Sequence, residues 1–290
     1  MQRCKLVVNT LSGNADNLKK LGDVESFLKE KYDVNTIFID ENNDVSIKDE
    51  AYDCDVLAVC GGDGTLNSAV NAVADKGIDL LYFPCGTLND TAKNMRLAKK
   101  LSKGNRRIRY VDMGKIGDTK FAYVLAGGTF TEIGYATQIK HKKHFKLLAY
   151  LFQVFKTYRI HRIKAEIKVN DRIISDEFTL IMAINCSRCF GFRFNKRYVH
   201  NDGKAQLLLI KSPPHNGILG KIEIFFPFFK AFFMGLRNET DGKILKFIDF
   251  TDAEITVDGS VPFTVDGEKI ILTDKNELHI LQKDLKLIVY

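Results

Sequence analysis

At 290 residues, with 45% hydrophobic and 27% charged residues, the chain is long enough for one large domain or two ordinary ones with real cores, and its composition excludes a disordered or fibrous polymer. Its longest apolar run, Ile222 to Phe233, is broken by Glu223, Pro227 and Lys230, so it can lie on a bilayer but not cross one. The net charge of +7 is unevenly spread: residues 92–111 carry eight Lys or Arg and no acid, and residues 138–172 carry ten against two acids.

In chain order, Lys5 to Asn9 predicts a short buried strand, followed by a Ser/Gly/Asn loop and a helix over about 16–32 with Leu18, Leu21, Val24, Phe27 and Leu28 on its apolar stripe. Val34 to Ile39 and Asp55 to Cys60 predict strands. A helix follows from about Leu66 to Lys76 and stops at Gly77; Leu80 to Pro84 is a strand and Asp90 to about Lys100 a helix. Strands that alternate with helices and are nearly continuous in apolar residues predict a doubly wound parallel sheet.

Beyond residue 120 the texture changes. Strand-like runs at 121–126, 163–169, 177–184, 205–211, 253–257, 262–265, 269–272 and 278–281, many bounded by Asp-Gly or Asn-Asp turns, predict an antiparallel sandwich or barrel. One helix, about His144 to Tyr158, interrupts them. The expected organisation is an α/β domain over 1–120 and a mainly antiparallel β-sandwich domain over 121–290, with the last strand free to return to the first domain. Buried core is the expected fate of at least half the phenylalanines in the run Phe225 to Phe233.

Six cysteines (4, 54, 60, 85, 186 and 189) are scattered, several within strand-like runs. That pattern suits reduced thiols better than a disulfide framework, and the lone Cys186-Cys189 pair lacks the second pair a zinc site needs. The N-terminal MQRCKLVVNT is too short in apolar residues for a secretory signal, so the reading is cytoplasmic.

Three loops stand at the carboxyl ends of predicted parallel strands, where α/β folds bind ligands: Asn9 to Gly13, Gly61-Gly62-Asp63-Gly64-Thr65, and Pro84 to Asp90. Glycine lets the backbone approach an anion, helix N-termini offer N–H groups, and Thr65, Thr87 and Asn89 add side-chain donors. A Walker loop would need Gly-Lys-Ser/Thr, and a dinucleotide fingerprint a glycine where Asn67 stands. Asp63 inside such a cradle repels phosphate unless a cation such as Mg²⁺ intervenes, which points to a nucleoside triphosphate. The competing reading is a bare strand-to-helix turn with Asp63 as N-cap.

GGDGT at 61–65, followed by PCGTLND at 84–90, resembles the catalytic domain of the diacylglycerol kinase superfamily, in particular the bacterial soluble lipid kinases. Asp112-Met113-Gly114, Asn201-Asp202-Gly203 and Asp266-Gly267-Glu268 are similar to later motifs of that family. The resemblance implies a nucleotide-binding domain packed on a β-sandwich, with ATP and Mg²⁺ in the cleft. It implies that ATP meets Asn9, Thr10, Leu11, Ser12 and Gly13, then Gly62, Asp63, Gly64, Thr65, Leu66, Asn67 and Ser68, and then Thr87 and Asn89. Asp63 and Asp112 would join a Mg²⁺ and water network, Glu268 would be the base for a lipid hydroxyl beside Asp266, and Asp202 with the carbonyls of Val199 and Lys204 would hold a structural Mg²⁺. The chain departs from the family at Thr10, where a proline is usual, and at Thr91, Lys93, Asn201 and the stretch Cys189-Phe190-Gly191-Phe192.

The function so read is an ATP- and Mg²⁺-dependent lipid kinase, most simply forming phosphatidic acid from diacylglycerol, peripherally bound to a membrane surface that the basic segments and Phe225 to Phe233 would meet. A homodimer is a possible assembly, and nucleic acid is not an expected partner. Two other readings stay open: a soluble-substrate kinase of the NAD kinase type, which also carries Gly-Gly-Asp-Gly, and a nucleotide-gated lipid-binding regulator without activity.

Overall fold

The computed structural model describes residues 1–12, 21–41, 43, 45–74, 76–86, 89–95, 107–129, 159–188 and 193–289. The predicted helix at 144–158 and parts of both basic segments lie outside them.

The first part is built as expected from alternating elements: β1 (Arg3–Asn9), α1 (Leu21–Lys29), β2 (Asp33–Ile39), a single turn α2 (Ile47–Glu50), β3 (Val56–Gly61), α3 (Asp63–Val73), β4 (Asp79–Pro84) and α4 (Asp90–Asn94). β1 pairs in parallel with both β2 and β3, and β3 with β4. Every residue of β3 is buried, which is why its run VLAVC carries no polar alternation. Because the strands are parallel, the loops that follow β1, β3 and β4 emerge at one edge.

The second part is continuous with the first. β5 (Arg107–Ile116), β6 (Thr119–Phe121), β7 (Val124–Gly128), β8 (Ile163–Val169), β9 (Arg172–Ile184), β10 (Ala205–Lys211), α5 (Gly217–Phe229), β11 (Thr240–Asp241), β12 (Leu245–Phe250), β13 (Asp252–Val265) and β14 (Glu268–Val289) follow. All described strands belong to one 14-stranded sheet. β9 pairs β8 along its first half and β7 along its second, and β13 does the same. These two long, bent strands wrap the sheet around a core containing Phe121, Phe178, Phe250 and Phe263.

Several runs predicted as separate strands are single ones. The pairs 253–257 with 262–265 and 269–272 with 278–281 fuse into β13 and β14. Asp258-Gly259 is therefore not the hairpin turn its sequence suggests: the pairing register shifts between Thr256 and Ser260, and Gly259 sits at φ +78° within the strand, so the dipeptide makes a bulge. Asp266-Gly267 is a true two-residue hairpin turn, with φ of 49° and 101° between paired Val265 and Glu268. β5, absent from the expected strands, is antiparallel to β14.

β14 joins the two parts. It starts beside β13, shifts register between Leu281 and Leu285, and ends parallel to β4 through Leu287 and Ile288. Asp112 of β5 anchors that shift: its fully buried carboxylate accepts N–H bonds from Lys283 at 2.7 Å and Gly203 at 2.6 Å. Burial still pushes this acid above its usual pKa, though the two donors oppose the rise. Gly114 beside it is required by packing, since a Cβ there would lie 2.1 Å from the Phe121 ring.

Candidate active site at the glycine loops

The three loops converge on α3. Its N-cap is Gly62, which supplies no side-chain cap, so the first N–H groups of an 11-residue helix face the loop region with the positive end of the helix dipole. Asn9 ties the first loop to this helix: its Nδ2 donates to Thr65 Oγ1 at 3.0 Å, while its Oδ1 accepts from Leu11 N at 3.0 Å. Thr10, in the place of the usual proline, donates through Oγ1 to the Ile39 carbonyl. Ser12 donates through Oγ to the Asn9 carbonyl.

The second and third loops meet through glycine. A Cβ on Gly86 would stand 2.4 Å from Gly62 Cα, so only a residue without one lets the loops pack backbone to backbone. Asn89, at φ 49°, closes the third loop on itself: its Nδ2 donates to the Gly86 carbonyl at 2.6 Å and its Oδ1 accepts from Gly86 N at 2.9 Å. Asn89 thus shapes the loop with the groups expected to serve a phosphate.

Asp63 does not cap its own helix. It is the first residue of α3, and its carboxylate accepts the N–H groups of Asp90 at 3.1 Å and Thr91 at 2.8 Å, the first residues of α4. One acid therefore caps the neighbouring helix and locks the two glycine loops together.

A cavity of about 610 Å³ opens at this edge, lined by Asn9 and Ser12 of the first loop, Gly62, Gly64, Thr65 and Ser68 of α3, and Glu268 from the start of β14. Asn71 and Ala72 of α3 also reach it, and Ile39, Val45, Ile47 and Lys48 form a further wall. Glu268, expected from its place after Asp266-Gly267, is exposed there. Leu66 and Asn67 do not line the cavity: Leu66 is fully buried in the core behind it and Asn67 accepts from Asn71. Leu11 is exposed beside it, and Gly13 and Thr87 lie outside the described residues.

Asp266 sits at the hairpin tip that brings Glu268 to the cavity. Its carboxylate accepts the N–H groups of Ala122 at 2.8 Å, Tyr123 at 3.1 Å and Val124 at 2.6 Å. Burial pushes its pKa up to about 7 against those three donors, and Asp63 adds to the rise. The Tyr123 hydroxyl donates in turn to Asp90, which is fully buried, at 3.2 Å. Asp63, Asp90, Tyr123 and Asp266 thus form one polar seam between the two parts of the sheet. Sequence reasoning does not single out Asp90, although it stands within PCGTLND, because an acid in a first helical turn reads as a dipole complement. Tyr123 carries no local signal.

Asp112 takes no part in this seam. It lies with Asp202 and His200, where its oxygens hold backbone N–H groups rather than the loops around Asp63. Val199, Asp202 and Lys204, expected to hold a structural cation, are all exposed, and Asp202 Oδ1 accepts from Lys204 N at 3.1 Å within its own turn. Among the described residues no three His, Cys, Asp or Glu side chains are grouped to hold an ion.

Residues 3–116 match the diacylglycerol kinase catalytic domain family. They form a domain of that family. The diacylglycerol kinase of Bacillus subtilis strain 168 is 26% identical over 225 residues, covering 73% of this chain and 74% of its own. That of Staphylococcus epidermidis RP62A is 26% identical over 279 residues, covering 89% and 85%. The crystal structure of a diacylglycerol kinase from Bacillus anthracis superposes with a TM-score of 0.71 at 18% identity, covering 100% of this chain and 97% of that one, which shows a shared fold with a β-rich C-terminal part. A chain carrying this kinase domain is a phosphotransferase with an alcohol acceptor. No helix among its described residues is long and apolar enough to cross a membrane.

Proposed function

We propose that the protein is an ATP-dependent lipid kinase that transfers the γ-phosphoryl group to the hydroxyl of a lipid, diacylglycerol being the simplest acceptor and phosphatidic acid the product. The observation that supports this best is the cavity in which the uncapped N-terminus of α3 and the carboxylate of Glu268 lie together. The triphosphate would rest on the N–H groups of the first turn of α3, with Asn9, Ser12, Thr65 and Ser68 around it and the base against the wall of Ile39, Val45 and Ile47. Loops that hold each other through Gly62, Gly86 and Asp63 keep those donors in place before the ligand arrives, which is how electrostatic preorganisation lowers a barrier.

Glu268 acts as general base. As the lipid oxygen bonds to the γ-phosphorus, its proton passes to the Glu268 carboxylate and the bond from that phosphorus to the β–γ bridging oxygen breaks, releasing ADP. Asp266 fixes the tip that carries Glu268, so Asp266 is a positioning residue.

Mass spectrometry of a total membrane lipid extract incubated with the purified protein and ATP tests the reading. A phosphorylated glycerolipid supports it. Conversion of added NAD to NADP would replace it with the soluble-substrate kinase, and no ATP consumption with any lipid fraction would replace it with the regulator.

A further inference from the structure

The helix α5 and the π-helical turn that follows it, Lys230–Met234, present two apolar faces. One packs inward: Ile224, Phe228 and Ala231 are buried with Phe194, Leu208 and Phe247. The other faces outward. Ile218, Ile222, Phe225, Phe229 and Phe233 recur every three or four residues on one line, flanked by Leu219 and Phe226. Ile218 is 78% exposed, Phe226 69% and Ile222 56%. Of the six phenylalanines between 225 and 233 only Phe228 is fully buried and three are exposed, against the expectation that at least half would enter the core.

The outward rings form a ladder. Phe225 stacks on Phe229 at 5.8 Å between centroids and Phe229 on Phe233 at 5.3 Å. A helix apolar all round is a core or membrane helix, and a contiguous apolar patch of this kind on a water-facing surface marks an interaction site.

Charge identifies the partner. Lys196, Lys230 and Arg237 are exposed around the C-terminal end of the ladder, Lys196 donating to the Met234 carbonyl. Among the described residues no acid pairs with these three. The one acid of the helix, Glu223, is engaged by His215 at 2.6 Å. An apolar strip with aromatic rings and a cationic rim complements an anionic bilayer surface rather than water.

We infer that the outward face of Gly217–Met234 inserts into the interface of an anionic lipid bilayer. The inference rests on the lipid-kinase reading for the purpose of the contact, because the inner face of the same helix shares its core with Tyr123, Val124 and Ala126, the wall that carries the Asp90 and Asp266 seam. Docking there holds the wall that carries the seam against the bilayer in which a lipid acceptor resides. Near β8 and β9, by contrast, Arg162, Lys168 and Arg172 pair with Glu177, Glu254 and Asp241.

The chain has no tryptophan, so Phe226→Trp introduces a single reporter in the full-length protein. With vesicles of phosphatidylcholine and phosphatidylglycerol, the emission of this introduced indole shifts to the blue and is quenched by brominated acyl chains, whereas that of the exposed control Tyr52→Trp does neither. Phe226→Glu with Phe229→Glu lowers vesicle pelleting at least tenfold while leaving the thermal midpoint unchanged. Unmoved emission from the Phe226→Trp variant, or unchanged pelleting of the double variant, overturns the inference. So does a wild-type dimer in sedimentation velocity that the double variant splits, which would make a second copy the occupant. None of these readouts needs ATP, so they fail separately from the kinase reading, whose own test is turnover of a short-chain, micelle-soluble acceptor.

Discussion

The Cα of Gly62 and the site where Gly86 would carry a Cβ are 2.4 Å apart, closer than two non-bonded carbons can pack. Gly86→Ala therefore forces the second and third loops apart. Overpacking of this kind costs about 1–3 kcal/mol, and the displaced loops lower nucleotide affinity as well. Gly64→Ala is the control, because a Cβ there meets nothing within 4 Å and projects at the cavity it lines. It should leave the denaturation midpoint unchanged and weaken only the ligand in calorimetry.

Asp63→Ala removes the acceptor for the N–H groups of Asp90 and Thr91. Loss of a helix cap costs about 0.5–2 kcal/mol, so stability should fall by about that much in denaturant unfolding. Nucleotide affinity should fall too, since the same carboxylate holds the third loop to the second. A variant with full stability and lost binding would show that Asp63 acts on the ligand directly.

Asp112→Asn should damage the fold more than the cavity. Its oxygens accept two backbone N–H groups in a fully buried setting, and an amide offers only one acceptor and turns a donor toward the other. Leaving one buried N–H without its acceptor costs about 1–3 kcal/mol. Chemical denaturation measures it, and nucleotide binding by the remaining folded protein should be retained.

Glu268→Gln keeps the size of the side chain and removes the base. Turnover should fall by about 10²–10⁴, with nucleotide affinity within twofold of wild type. Equal turnover would remove Glu268 from the proton transfer.

Asp266 gives a pH dependence of defined sign. Its pKa rises on folding from the ordinary 3.8 to about 7, so the native state holds this proton where the unfolded chain has released it. The contribution to stability is fully present below about pH 4 and is lost as pH rises through about 7. The difference in unfolding free energy between wild type and Asp266→Asn should shift against wild type across that interval. A flat difference would show that the carboxyl titrates normally.

Much of the candidate site was legible because loops suited to an anion are short local stretches. The loops Asn9 to Gly13, Gly61 to Thr65 and Pro84 to Asp90 stand where parallel strands end, and apolar runs such as that of β3 locate those ends without any long-range information. The late Asp266-Gly267 turn was equally readable, its residue types being those a two-residue hairpin requires. The roles of individual side chains were not. Asp63 reads as a cation ligand or as a cap on its own helix; that it caps α4 depends on two helices meeting across 27 residues of chain. Asn89 reads as a phosphate donor, yet it turns inward to close its own loop.

What the residues determined alone is periodicity and local turn chemistry: the order of strands and helices, the change of texture near 120, and the loops that favour an anion. What only the tertiary structure decided is which of these meet. Arg162, Lys168 and Arg172 are each paired with an acid from another strand, and β13 runs through the Asp258-Gly259 dipeptide that spells a turn, since a bulge keeps the ladder bonds a turn would forfeit. The aromatic run 225–233 could be core or surface until the sheet behind it was complete. One face of that helix covers the sheet and takes Phe228 into the core, while Phe226, Phe229 and Phe233 on the other face stay exposed.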